Sequence, residues 1–266
     1  MCAHNQTNMN AKPALYACSI LTSLLLLTNV APAQERILNG DNGLFTSGVP
    51  DGWVQSDAPG LRMVSAFSAI NSPFTNRFAN NGASWSLDDD FAVGVDGYIQ
   101  NGYTPLPQIA LNFDFRLETL VAGGTWGVQF NNTGSAAPNV SLIHFRMDTN
   151  FYVAPWDSGA GTNVAQPSIL ALAAETWYNV QGFIDVPSGT YGGTITPFAG
   201  APTAFSGTMN TAGLNALVIS GTQVRDRSAN SDNGTILLDN ISVVPEPASL
   251  SLLGLASLAL ITRRRR

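Results

Sequence analysis

Through the middle of the chain, apolar and polar residues alternate with a period of two. Across residues 111–118, Leu111, Phe113, Phe115 and Leu117 fall on one side, and Asn112, Asp114, Arg116 and Glu118 on the other. This is the pattern of an antiparallel strand with one wet face. Trp126, Val128 and Phe130 repeat it after Gly123-Gly124, and Ile143, Phe145 and Met147 alternate with Leu142, His144 and Arg146. Tyr178, Val180, Ile184 and Val186 form a further strand, which Pro187-Ser188-Gly189 turns into residues 191–196 as a hairpin. Asn101-Gly102, between Tyr98-Ile99 and Tyr103, predicts a second hairpin, and residues 214–220 and 235–244 supply the last two strands. No stretch keeps a helical period for three turns. Only residues 165–175 could hold a short helix, which Pro167 limits. At least eight short strands with turn-rich connections predict an all-β fold, a two-sheet antiparallel β-sandwich of the jelly-roll kind.

Both ends break the alternation. Residues 1–33 carry Lys12, an apolar run over 14–30 that contains Leu24-Leu25-Leu26-Leu27, and then Ala31-Pro32-Ala33. A positive flank, a short apolar core and a small-residue exit read as a secretory signal peptide, handed to the Sec translocase and cleaved before Gln34. Residues 245–266 hold Pro245-Glu246-Pro247, the largely apolar run of 14 residues 248–261, Thr262 and then Arg263-Arg264-Arg265-Arg266. As a helix the apolar run would span about 21 Å, short of the roughly 30 Å hydrocarbon core, so the flanking arginines would have to snorkel. Those arginines would hold the carboxy terminus in the cytoplasm, leaving residues 34–244 outside the inner membrane.

The three parts of this tail resemble the PEP-CTERM sorting signal. The resemblance implies an exosortase partner, a membrane cysteine transpeptidase of Gram-negative bacteria that make extracellular polysaccharide. It implies removal of the tail near Pro-Glu-Pro, a transient inner-membrane anchor, and delivery to the cell surface or extracellular matrix.

Composition narrows what residues 34–244 do. The whole chain carries a formal charge of −6, but seven of its 12 basic residues and 17 of its 18 acids lie in this central part, which therefore stands at −10. A negative field of that size disfavours nucleic-acid binding. Cys2 and Cys18 both precede residue 34, so the exported domain has no disulfide, no thiol nucleophile and no thiolate metal site. His144 is its only histidine.

Local signatures refine the fold. Gly48-Val49-Pro50-Asp51-Gly52-Trp53 and Leu238-Asp239-Asn240-Ile241-Ser242-Val243 resemble the opening and closing strands of secreted carbohydrate-binding jelly rolls. Glu175-Thr176-Trp177-Tyr178-Asn179-Val180 with residues 185–191 looks like the laminin-G or concanavalin-A-like type. The first resemblance implies a structural Ca²⁺ tying first and last strands, for which Asp239 matches the closing-strand acid and Asp41 is the substitute partner. Glycosidases of the second type use Glu-x-Asp-x-x-Glu, and none of Glu35, Glu118 or Glu175 begins that pattern. Asp88-Asp89-Asp90 reads as a solvated acidic turn, and His144, with no serine elbow to serve, as a surface or rim histidine. For a sugar, an exposed aromatic face is the natural platform. Trp126 and Trp177 belong to strand patterns and are expected in the core. Trp156, between Pro155 and Asp157, is the foremost candidate, with Tyr103 and Tyr191 behind it.

The sequence thus predicts a secreted, non-enzymatic surface or matrix protein with weak affinity for extracellular polysaccharide. A polysaccharide-acting hydrolase or lyase on the same fold is the alternative.

Overall fold

The computed structural model describes residues 36–37, 45–46, 49–50, 53–55, 63–74, 84–89, 98–121, 124–132, 140–214, 216–228 and 234–245. All of these fall within the compact unit Gln34–Ala248. Residues 1–33, expected as a signal peptide, Asp41 and everything from Glu246 onward lie outside them.

Among the described residues every regular element is a strand. In chain order they are β1 (Arg36–Ile37), β2 (Phe45–Thr46), β3 (Val49–Pro50), β4 (Trp53–Gln55), β5 (Met63–Ser68), β6 (Ser84–Asp89), β7 (Tyr98–Leu106), β8 (Gln108–Leu117) and β9 (Gly124–Asn132). There follow β10 (Val140–Met147), β11 (Asn150–Asp157), β12 (Thr162–Asn163), β13 (Leu170–Ala171), β14 (Trp177–Asp185), β15 (Thr190–Pro197), β16 (Thr203–Thr208), β17 (Ile219–Ser228) and β18 (Thr235–Pro245). The first sheet runs β16-β15-β14-β8-β18-β6-β5, with β1 also on β18; the second runs β12-β11-β10-β9-β17-β7-β4, with β13 also on β11. Strands β2 and β3 pair with each other alone. The named ladders are antiparallel, as a two-sheet sandwich requires.

Each sheet contains a meander of strands consecutive in the chain, β9-β10-β11 in the second and β14-β15-β16 in the first. The β14–β15 turn is the expected hairpin, with Gly189 at φ 65° taking the left-handed position that a side chain would resist. Asn101-Gly102 makes no turn. Asn101 is paired on both sides, with Trp53 and with Thr222, and β7 runs straight through it. The chain instead changes sheets at Pro107, between β7 and β8, where a residue without an N–H loses no ladder bond.

Three other expectations change. The segment 165–175 forms no helix and contributes only β13. The strand placed at 214–220 lies later, at β17. Asp88 and Asp89 belong to β6 rather than to a turn, with Asp88 opposite Thr235.

Between the sheets the alternating residues interlock. Phe113 packs on Phe145 with ring centroids 5.6 Å apart, Phe115 stacks on Tyr178 at 5.2 Å, and Phe145 and Phe151 stack at 6.0 Å. All four phenylalanines are essentially without solvent exposure. Such a ring is worth about 3–5 kcal/mol against alanine, so this aromatic seam dominates the sandwich. Trp126 joins the core as expected. Trp177 is buried too, but on the opposite face of its sheet, opposite Arg116.

Candidate functional site

The outward face of the second sheet is where polar residues gather. Alternation sends Trp126, Val128 and Phe130 of β9 into the core and leaves Gly127, Gln129 and Asn131 facing away. Register then places their neighbours. One row across the sheet reads Tyr98, Arg225, Gly127, Arg146, Tyr152; the next reads Gln100, Gln223, Gln129, His144, Ala154; a third reads Gly102, Gly221, Asn131, Ser141. Arg225 and Arg146 thus stand on either side of Gly127, about 10 Å apart at ordinary strand spacing.

Gly127 explains how His144 fits between them. A Cβ at this position would overlap the imidazole, so the ring lies over bare backbone. Its Nδ1 accepts from Arg146 Nε at 3.1 Å and from Gln129 Nε2 at 3.2 Å. Two donors on one nitrogen make Nδ1 the acceptor and put the ring proton on Nε2. His144 is therefore not a surface or rim histidine. It is 0% exposed, and it orients the Arg146 guanidinium, which remains half-buried. Next to it Asn131 Nδ2 reaches Gln223 Oε1 at 3.4 Å, while the buried Asn131 Oδ1 has no hydrogen-bond partner among the described residues.

Trp156 belongs to this same face. It follows Tyr152 and Ala154 along the outward side of β11 and pairs with Asn163 on β12. The indole is half-buried against the edge of the core, and its Nε1 is buried without a partner among the described residues. Tyr103 and Tyr191 take the opposite direction. Tyr103 is buried in the core with its hydroxyl 3.2 Å from Thr222 Oγ1, and Tyr191 is buried with its hydroxyl over Gly207. A stacking platform needs an open ring face, and neither tyrosine offers one. Burial also pushes the Tyr191 phenol up from its ordinary 10.0.

Carboxylates gather elsewhere. Asp239 lies on the outward side of the first sheet, in register with Asp114 of β8, and both are buried. Asp114 accepts from Ser72 Oγ at 2.6 Å and from the Asn179 and Asn240 amides; Asp239 accepts from the backbone N–H of Ser72 at 3.0 Å and of Asn240 at 2.8 Å. The face of β8 expected to be wet is thus closed at Asp114. No group of three or more His, Cys, Asp or Glu side chains placed to hold a metal occurs among the described residues. Of the glutamates, Glu118 is paired with Arg116 at 2.7 Å, and Glu175 is exposed at a turn with φ 57°.

Val243, Val244 and Pro245 complete β18, and the motif begins with them. Residues 243–266 match the PEP-CTERM protein-sorting motif. Pro245, Glu246, Pro247 and Arg263 to Arg266 are all inside the match, so the chain carries a membrane-anchored signal for export and exosortase-mediated sorting. Among curated proteins none matches this chain.

Similarity to solved structures concerns the fold. A protein of unknown function from Shewanella oneidensis MR-1 superposes with a TM-score of 0.52 at 12% identity, over 90% of this chain and 96% of that one. A sialidase superposes with a TM-score of 0.50 at 9% identity over 81% of this chain; the chain spans only 19% of the sialidase's length. Peanut lectin aligns over 80% of this chain and 98% of its own at 11% identity, with a TM-score of 0.44.

The arginine face escaped sequence reading because its members come from β7, β17, β9, β10 and β11, which are distant along the chain. The alternation of His144 with Arg146 was the one local signal of it.

Proposed function

We propose that this protein is a component of the cell surface or extracellular matrix that holds an anionic polysaccharide on the outward face of the second sheet. The observation that carries this reading is the placement of Arg146 and Arg225 on either side of Gly127, flanked by Tyr152 and Tyr98. Planar guanidinium groups bind carboxylates through paired hydrogen bonds, and the half-buried Gln100 amide on the next row suits a sugar hydroxyl. At physiological ionic strength charges beyond about 8 Å are largely screened, which weakens the domain's overall negative charge as an obstacle to a polyanion.

Affinity electrophoresis through gels holding a polyuronate or a neutral glucan tests the reading. Retention is expected in the polyuronate alone, weakened by added salt and by Arg146→Gln or Arg225→Gln. Equal mobility in both gels would sink it.

One feature supports a second, enzymatic reading on the same face. Tyr152 is paired with Arg146 across the ladder, so a phenol and a guanidinium side chain share this face. Neutralising a uronate carboxylate acidifies its α C–H; loss of that proton to a base, with departure of the neighbouring glycosidic oxygen, would leave a C=C bond in the sugar. This favours a lyase over a hydrolase, which would need two carboxylates about the scissile bond. Unsaturated sugar ends accumulating on incubation with a polyuronate, and absent with Tyr152→Phe, would establish it; binding without such ends would leave the binding protein.

A further inference from the structure

The sorting motif and the sandwich share residues. The motif match begins at Val243, whereas β18 continues through Pro245. Within the first sheet Val243, Val244 and Pro245 are in register with Leu111, Ala110 and Ile109 of β8. On its other side β18 is paired by β1, with Arg36 opposite Val243 and Ile37 opposite Ser242. The apolar run starts at Ala248, so only Glu246 and Pro247 separate it from the last paired residue. Three extended steps cover about 10 Å.

An enzyme that reads and cuts a peptide holds it extended, with its main chain open to the enzyme. A strand already paired has no free main chain to offer on that side. Burial sets how far the end could open: Val243 is 0% exposed in the core, whereas Val244 and Pro245 are half-buried, and Pro245 has no N–H to give to a ladder. From this overlap we infer that the sheet and the processing transpeptidase compete for the end of β18. Val244 and Pro245 leave Ala110 and Ile109 before the tail is removed, Val243 stays as the anchor, and fraying of this strand end sets the rate of processing. The inference rests on exosortase-mediated sorting through this tail.

The test uses the full chain in a host that exports it together with an exosortase, with pulse-chase detection of the shortened form. A flexible Gly/Ser segment of about six residues inserted between Val244 and Pro245 lifts the motif clear of the sheet and should shorten the processing half-time several-fold. The pair Ala110→Cys with Val244→Cys pins the strand end. These positions face each other across the ladder, and the exported domain has no other thiol with which they could mispair. Oxidised, this variant should be processed several-fold more slowly than when reduced or than either single variant. Protease resistance of the shortened product confirms that the sandwich has formed in each case. Glu246→Ala separates the two failures. If that variant is processed like the unaltered chain, the sorting reading itself falls. If it is not processed, yet insertion and cross-link both leave the rate unchanged, competition for the strand end is overturned.

Discussion

The imidazole of His144 occupies the space that a side chain at Gly127 would fill, and each of the two residues dictates the other. Glycine here supplies room, since its backbone lies outside the left-handed region. Gly127→Ala should therefore cost about 1–3 kcal/mol by forcing the ring out of its socket. In a His144→Ala background the same change should cost little, because nothing remains to collide with. Urea denaturation of the four members of this cycle measures the coupling. An equal cost in both backgrounds would show that the socket matters little.

Asp114 should prove more important to stability than any exposed acid. Its carboxylate accepts from Ser72 Oγ, Asn179 Nδ2 and Asn240 Nδ2, all inside the protein. Asp114→Ala leaves these donors facing a void, and a loss of about 3 kcal/mol or more is expected, at roughly 1–3 kcal/mol for each unsatisfied group. Asp88→Ala, which removes only an exposed contact with Thr235, should stay within about 0.5 kcal/mol. Comparable losses for the two variants would contradict this ranking.

The sandwich was legible because its signal is local. Leu111, Phe113, Phe115 and Leu117 announce a buried face by alternation alone, and Pro187-Ser188-Gly189 announces its turn. Asn101-Gly102 misled because a turn-forming pair is also tolerated within a strand when both neighbours pair with it, and pairing partners are not visible locally. The same limit hid the arginine face. Arg225 and Arg146 become neighbours of Gly127 only through the register of β17 and β10 on β9. Tyr103 and Tyr191 resemble platforms in the sequence because an aromatic residue near a turn reads alike whether its ring points in or out. Trp156 reads in the sequence as a loop residue, although it lies within β11.

Alkali should destabilise the domain through Tyr191. Burial raises its phenol above the ordinary 10.0 in the folded state, so the folded protein holds the proton where the unfolded chain releases it. The stability is fully present below the unfolded value and is lost as pH climbs from there through the folded one. Melting temperature should fall over that window, and fall less in Tyr191→Phe, which has no proton to lose. Identical alkaline profiles for the two proteins would mean that another group controls the transition.

Trp156 separates packing from recognition in one side chain. Its ring is packed against the edge of the core, while its Nε1 is buried without a partner among the described residues. An indole N–H that is buried and unsatisfied costs stability, so Trp156→Phe, which keeps much of the ring and deletes the donor, should melt at or above the temperature of the unaltered domain. If that N–H is kept for a polysaccharide hydroxyl or carboxylate, the same variant should lose retention in a polyuronate gel several-fold. Trp156→Ala removes the packing as well and should be destabilised by about 3 kcal/mol in addition to losing retention. A Phe variant that melts lower and is retained as before would make Trp156 a plug at the sheet edge. The arginine row would then have to bind its glycan with Tyr152 and Tyr98 as its aromatic neighbours.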